Sequence, residues 1–277
     1  MLQAYGVTEK GRIRPTNEDC FAIDEGLPLC VVADGLGGHN AGEIAAQMAV
    51  DAVADYLGVS GAALSRLPCD AVSGAALSGL RGGPERMAPP QAGTWPFGFD
   101  RSLSHTGNLL RTAIHLANVQ ILETAISSDE YAGMGTTIVA AMIEGARLSV
   151  GYVGDSRLYV VTNSRLRRLT HDDSWAASAL GDDSREEPSH PMRNLLTNVV
   201  GRRPRTDVHV VEEMLGGGEL LLLLTDGVHG ALDDDRLKRL VGGGGDLRQI
   251  ATRLVGAALA RGSRDNCTAI AARYLPD

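Results

Sequence analysis

The chain has 277 residues, 44% of them hydrophobic, with 34 acidic side chains against 26 Lys and Arg for a formal net charge of −8. That length and apolar content suffice for one full core, and the acidic balance excludes nucleic acid and anionic membrane as default partners. The longest apolar run, Leu220 to Leu224, is far too short to span a bilayer, and Met1 to Gly6 shows no basic region leading into an apolar one. A cytoplasmic chain with neither signal peptide nor membrane anchor is therefore expected. Cys20, Cys30, Cys69 and Cys267 have no Cys-x-x-Cys spacing, so they read as reduced thiols and not as a disulfide frame or zinc site.

In chain order, residues 4–24 read as two strands around a turn at 11–19, followed by a buried strand over 28–34. Asn40 with Glu43 forms a candidate capping box, and Ile44, Ala45, Met48, Ala49, Ala52 and Val53 predict a helix over 41–57. From 58 to about 106 the periodicity dissolves into Gly, Ala, Ser and Pro, and 79–104 reads as a flexible surface insertion. Leu109, Leu110, Ala113, Ile114, Ala117 and Ile121 mark a second long helix. An antiparallel meander over 133–170 follows, then an irregular stretch at 171–205, strands at 208–211 and 220–224, and a helix opened by Asp246 and closed by Gly262. Strands and helices without βαβ alternation predict an α+β fold.

Three carboxylates stand out within that frame. Asp34 ends an apolar strand and is followed by glycines at 35, 37 and 38; Asp226 ends the five-leucine strand; Asp265 precedes the last apolar segment. The glycines do not form a dinucleotide fingerprint, because counting from Gly35 the final position is Asn40, and no Gly-Lys-Ser/Thr follows for a P-loop. Three strand-edge aspartates, if they meet, make an all-oxygen site suited to Mg²⁺ or Mn²⁺.

The motifs Arg14–Asp19, Asp34–His39, Gly133–Thr137, Val153–Arg157, Leu169–Ser174, Thr225–Gly227 and Arg264–Asn266 occur in an order that resembles the bacterial protein phosphatase type 2C (PPM) family of metal-dependent serine/threonine phosphatases. The resemblance implies a four-layer αββα sandwich over 1–277 with a flap at about 171–203. It implies two Mn²⁺ or Mg²⁺ ions, bridged by Asp34 and bound by the Gly35 carbonyl, Asp226 and Asp265, with Glu18 reaching them through water and Asn266 supporting from behind. Arg14 would pair with the substrate phosphate, for which a guanidinium fork is well shaped. Asp129 and Glu130 are candidates for a third ion, and Arg202, Arg203 and Arg205 for a path taken by acidic phosphopeptides. Leu36 stands where many eukaryotic relatives carry a histidine. His39 belongs to the bacterial pattern.

The implied chemistry is hydrolysis of phosphoserine and phosphothreonine on proteins by a metal-activated water, with Arg14, Asp34 and Asp226 as catalytic residues. A monomer opposing a serine/threonine kinase is expected. Two other readings share the fold: a catalytically weak module that binds phosphoproteins, and a phosphohydrolase of small metabolites.

Overall fold

The computed structural model describes residues 1–37, 41–58, 95–163, 165–180, 192 and 194–276. His39, Asn40 and Cys69 lie outside them, as do 79–94 of the expected insertion and most of 181–193 in the expected flap.

Two antiparallel sheets pack face to face. In one, β1 (Leu2–Glu9), β11 (Cys267–Tyr274), β10 (Leu220–Leu224), β7 (Arg157–Thr162) and β8 (Arg165–Arg168) lie side by side in that order. The other runs β2 (Asp19–Asp24), β3 (Leu29–Leu36), β5 (Ile138–Glu144), β6 (Arg147–Val153) and β9 (His209–Met214), with the two-residue β4 (Gly135–Thr136) pairing to the end of β3. Helices α1 (Ala41–Tyr56) and α2 (His105–Ser127) cover one outer face. After the short helix α3 (Trp175–Leu180) and a one-turn helix α4 (Asp226–His229), helices α5 (Asp234–Gly242) and α6 (Leu247–Ala260) cover the other. The αββα sandwich follows.

β10 shows why a run of five leucines was needed. Leu221 and Leu223 point between the sheets, while Leu220, Leu222 and Leu224 face α5 and α6. A strand buried on both sides has no solvent face, so its sequence does not alternate. α6 begins at Asp246 with a reciprocal capping box to Gln249, as its sequence predicts.

Three elements differ from expectation. The strand expected from Gly135 to Ala141 breaks at Thr137, and the break serves the site described below. α5 is a helix that the sequence pattern did not announce, with only Leu237 and Val241 buried. The described end of the expected insertion, 95–104, is packed down. Trp95 meets Phe99 and His105 edge-on at 5.0 and 5.4 Å, Phe97 lies 4.9 Å from the His115 ring, and Arg111 donates to the Phe97 and Gly98 carbonyls. This part belongs to the α2 layer and is no loose extension.

Candidate active site

The candidate residues sit where strands stop, on one edge of the sandwich. Asp34, near the end of β3, stands directly across the ladder from Asp19 of β2. At the β4–β5 break, Thr137 Oγ1 accepts from the Asp34 N–H at 3.1 Å. The Thr137 N–H and the Thr136 hydroxyl both donate to the Asp34 carbonyl, at 2.9 and 2.8 Å. With its backbone donor and acceptor held, Asp34 has a fixed direction.

Across the sandwich, β10 ends, Thr225 continues extended, and Asp226 opens the one-turn helix α4 (Asp226–His229). Thr225 occupies the cap position but makes no capping bond. Its hydroxyl donates to Asp19 Oδ2 at 2.8 Å, and the Thr268 hydroxyl of β11 donates to the same oxygen at 2.6 Å. The Thr268 N–H closes the triangle onto Thr225 Oγ1 at 3.0 Å. Asp19 thus pins the two sheets together beneath Asp34 and Asp226. Sequence reading had placed it only inside the arginine motif; its one local signal was a charged residue directly before the apolar run Cys20–Ile23.

Asn266 organises the loop that carries Arg14 and Glu18. Its Oδ1 accepts from the Glu18 N–H, and its Nδ2 donates to the Lys10 and Thr16 carbonyls, each at 2.9 Å. The Glu18 carbonyl in turn accepts from the Gly35 N–H at 3.0 Å. Arg14 donates to Asp265 Oδ2 at 2.6 Å. Asp265 Oδ1 accepts from the Asn266 N–H at 2.9 Å.

Charge is crowded here. Burial comes first in raising the Asp34 carboxyl well above the ordinary carboxylate range, and repulsion from Asp19, Asp226, Asp155 and Asp265 adds to it. Burial and then Asp265 lift Asp226 to about 6, and burial lifts Asp19 to about 7 against its threonine bonds. Asp34 and Asp226 each keep some solvent-facing surface, although the surrounding protein desolvates them heavily. Asp155, buried between β6 and β7, is raised by burial and then by Asp226, and its carbonyl accepts from His229 Nε2 at 2.9 Å. The sequence reading had not counted Asp155 or His229 as site residues. Arg14 is raised first by its bond to Asp265, and then, once burial is set aside, by the charges of Asp265, Glu18 and Asp34.

The donor set fits a hard divalent cation. It is all oxygen, and among the described residues Asp226 Oδ1 is buried with no hydrogen-bond partner. Among the described residues no three His, Cys, Asp or Glu side chains stand close enough to form a cage alone. A backbone carbonyl and water would have to complete the shell. Asp129 and Glu130 are not part of this convergence. They are exposed on a single 3₁₀ turn, Asp129–Tyr131, and among the described residues no hydrogen bond joins them to Asp34, Asp226 or Asp265.

The described part of the expected flap is tied down by Asp173. Its carboxylate accepts from the Gly154 N–H at 2.9 Å and Asn198 Nδ2 at 2.8 Å, and pairs with His209 Nε2 at 2.9 Å. The His209 ring stacks on Tyr152. The bond to Asp173 is the main cause raising His209, with Asp207 adding to it and burial opposing. A histidine raised on folding stabilises below its unfolded value of about 6.5 and loses that contribution as pH rises through the folded value. The parent protein should therefore exceed His209→Gln in melting temperature more at pH 5.5 than at pH 8.5. The difference should correspond to less than about 1 kcal/mol, because the ring is 42% exposed. An equal difference at both pH values would show that the pair does not act through charge.

Comparison with known proteins gives the family and the fold. The family model described as Protein phosphatase 2C matches residues 14–254. The serine/threonine phosphatase stp of Listeria welshimeri serovar 6b is 29% identical over 269 residues, which cover 95% of this chain and 92% of that one. A bacterial serine phosphatase crystal structure superposes with a TM-score of 0.78 at 28% identity, covering 100% of this chain and 99% of the other. The catalytic domain of PstP in complex with two manganese ions gives 0.72 at 25% identity, covering 99% and 98%. The chain belongs to the protein phosphatase 2C family. It is accordingly an enzyme of the serine/threonine phosphatase class, and no helix among the described residues is long and apolar enough to cross a membrane.

Proposed function

We propose that the chain hydrolyses phosphoserine and phosphothreonine on proteins with two bound Mn²⁺ or Mg²⁺ ions, in the cytoplasm and opposite a serine/threonine kinase. It would do so as a monomer and as a single catalytic domain over 1–277, with the flap at 171–203. The observation that carries this reading is the convergence of Asp34, Asp226 and Asp265 beside Arg14.

Asp34 would bridge the ions, the Gly35 carbonyl would bind one, Asp226 and Asp265 would hold the other, and Glu18 would act through water. When bound, the ions supply a water of lowered pKa and positive charge against the phosphoryl oxygens. The chain's own residues do the rest. The threonines on the Asp34 backbone and the Asp19 pin hold the carboxylates in place before substrate arrives, so little reorganisation is left for the reaction. Arg14, 45% exposed, is free to exchange Asp265 for a phosphate and present two N–H donors to it. Arg202, Arg203 and Arg205 line the approach for acidic phosphopeptides.

Arg14→Ala should lower kcat/KM on a phosphopeptide about ten- to a hundred-fold, chiefly through KM, because a charge-assisted contact is lost while the carboxylates remain. Unchanged kinetics would return Arg14 to a purely structural pairing with Asp265. Asp129 and Glu130, although outside the carboxylate convergence, would hold a third ion whose chemistry, when bound, would help the alkoxide leave. The Asp129→Asn/Glu130→Gln protein should then lose activity on phosphoserine peptides but little on p-nitrophenyl phosphate, whose leaving group needs no proton. An unchanged ratio of the two activities would remove these acids from the site.

The decisive experiment is Mn²⁺-dependent hydrolysis of phosphothreonine peptides beside small phosphate esters. Preference for peptides supports the protein phosphatase. Preference for small esters would support a metabolite phosphohydrolase, and Mn²⁺ binding without turnover would support a binding module.

A further inference from the structure

Beside the catalytic edge lies an open apolar groove of about 450 Å³, formed by Leu122, Ala125 and Ile126 of α2, by Gly133, and by Gly201 and Arg202. Ile126 is 76% exposed there, near the end of a helix whose other apolar residues mostly pack inward. A large aliphatic side chain left in water at the rim of a groove is a cost without a return in folding, and such places mark recognition surfaces.

Two backbone connections tie the lining of the groove to the site. Gly133 lies two residues before β4, whose Gly135 and Thr136 pair with Leu36 and Gly35. Thr136 also exchanges backbone hydrogen bonds with Val200 at 3.0 Å in both directions, which brings the 200–202 segment to the same edge. That segment is held rigidly. Asn118 of α2 accepts from the Gly201 N–H at 2.8 Å and donates to the Arg203 carbonyl at 2.9 Å. Gly201 adopts φ +91°, and a Cβ there would lie 2.1 Å from Ile121 Cγ2, so only glycine lets the chain pass so close over the helix. Arg202 is fixed between these two clamps, and its Nε donates to the Gly133 carbonyl at 3.1 Å. The bond engages one donor of the guanidinium. Among the described residues no hydrogen bond engages its terminal nitrogens.

We propose that this groove is a substrate subsite. It takes an aliphatic side chain from the segment flanking the phosphorylated residue, while Arg202 takes an acidic side chain next to it. The inference rests on the phosphatase reading above and adds a sequence preference to it. Three observations select a peptide as the occupant. Its lining residue Gly133 leads into β4, which pairs with the end of the strand that carries Asp34 and Gly35. Its rim presents a pre-positioned guanidinium whose terminal donors make no hydrogen bond among the described residues. Its size suits one or two side chains and not a whole helix. Asp129 and Glu130 belong to the turn before Gly133, so the effect of Arg202 is read together with theirs.

The test uses phosphothreonine peptides in which a single Leu-Glu pair is moved from four residues before to four residues after the phosphothreonine in a Ser/Gly background. With the full-length protein and Mn²⁺, one placement should raise kcat/KM about ten-fold over the others, the effect of burying one aliphatic side chain. In Ile126→Ser that advantage should collapse to less than about three-fold for the Leu-Glu peptide. In Arg202→Gln, replacing the peptide Glu by Gln should cease to matter. Such coupling between protein and peptide changes is not produced by a general loss of stability. A flat profile across placements, or a preference that survives Ile126→Ser, overturns the subsite while leaving the phosphatase reading intact. Absence of turnover on both the peptides and p-nitrophenyl phosphate would overturn the two together. Binding of a second copy to the groove, seen as Ile126-dependent dimerisation by sedimentation without peptide preference, would also overturn it.

Discussion

Asp226→Asn is expected to lose turnover by about 10²–10³-fold or more, yet to melt at a higher temperature than the parent when both are free of divalent ions. The loss follows from removing an anionic oxygen where positive charge must be held against the phosphoryl group. The gain follows from the burial and crowding of the acids. Burial and Asp265 raise Asp226 to about 6, above its ordinary value of 3.8. A carboxyl raised on folding destabilises the folded state once it ionises, so the cost appears as pH rises through that interval and is complete at pH 8. Neutralising it should return on the order of 1–3 kcal/mol, or a few degrees. Adding Mn²⁺ should reverse the order, since the parent, with its full set of anionic ligands, gains more binding free energy than the variant. Asp34→Asn should behave alike. Melting curves at pH 8 with and without Mn²⁺, taken beside turnover, check both halves. Near-parent turnover in either variant would sink the metal assignment, and a lower metal-free melting temperature would show that the acids are not in conflict.

The same crowding explains what could and could not be seen in the sequence. Asp34 and Asp226 were legible because an apolar strand gains nothing in packing by ending on a lone carboxylate, and glycines beside each allowed a close approach. The sandwich was legible because β10 is apolar at every position while the outer helices are striped. Asp19, by contrast, looks like one more acid in a polar turn. Its role depends on the Thr225 and Thr268 hydroxyls, and threonine in a strand is unremarkable because its branched side chain suits a strand anyway. The Arg14–Asp265 pair joins residues 251 positions apart, a distance that no local pattern encodes. α5 escaped notice because burying only Leu237 and Val241 gives one repeat of four, too little to establish a period. At 95–104 the prolines and glycines suggested a loose loop, and the aromatic content that ties the segment to α2 was outweighed by them.

Gly35→Ala should be severely damaging for a change of a single carbon. A Cβ at Gly35 would lie 2.0 Å from the Gly42 carbonyl oxygen, 2.4 Å from its carbon and 2.7 Å from the Glu18 carbonyl oxygen. All three are backbone atoms. No rotamer change can clear them, so the start of α1 and the loop bearing Glu18 must both move away from β3. Overpacking of this kind costs about 2–4 kcal/mol, or roughly 5–15 °C in melting temperature. The movement falls on the Gly35 carbonyl and on Asp34 beside it, and a displacement near 1 Å at a reacting centre costs about 10²-fold in rate. Gly256→Ala supplies the contrast. Gly256 lies within α6, where a Cβ would meet nothing within 4 Å, so that change should raise stability by about 0.5–1 kcal/mol and leave turnover unaltered. If Gly35→Ala melts within a degree or two of the parent and keeps its turnover on p-nitrophenyl phosphate, β3 and α1 are not in contact through Gly35. The position of the Gly35 carbonyl would then be set by something other than this close approach.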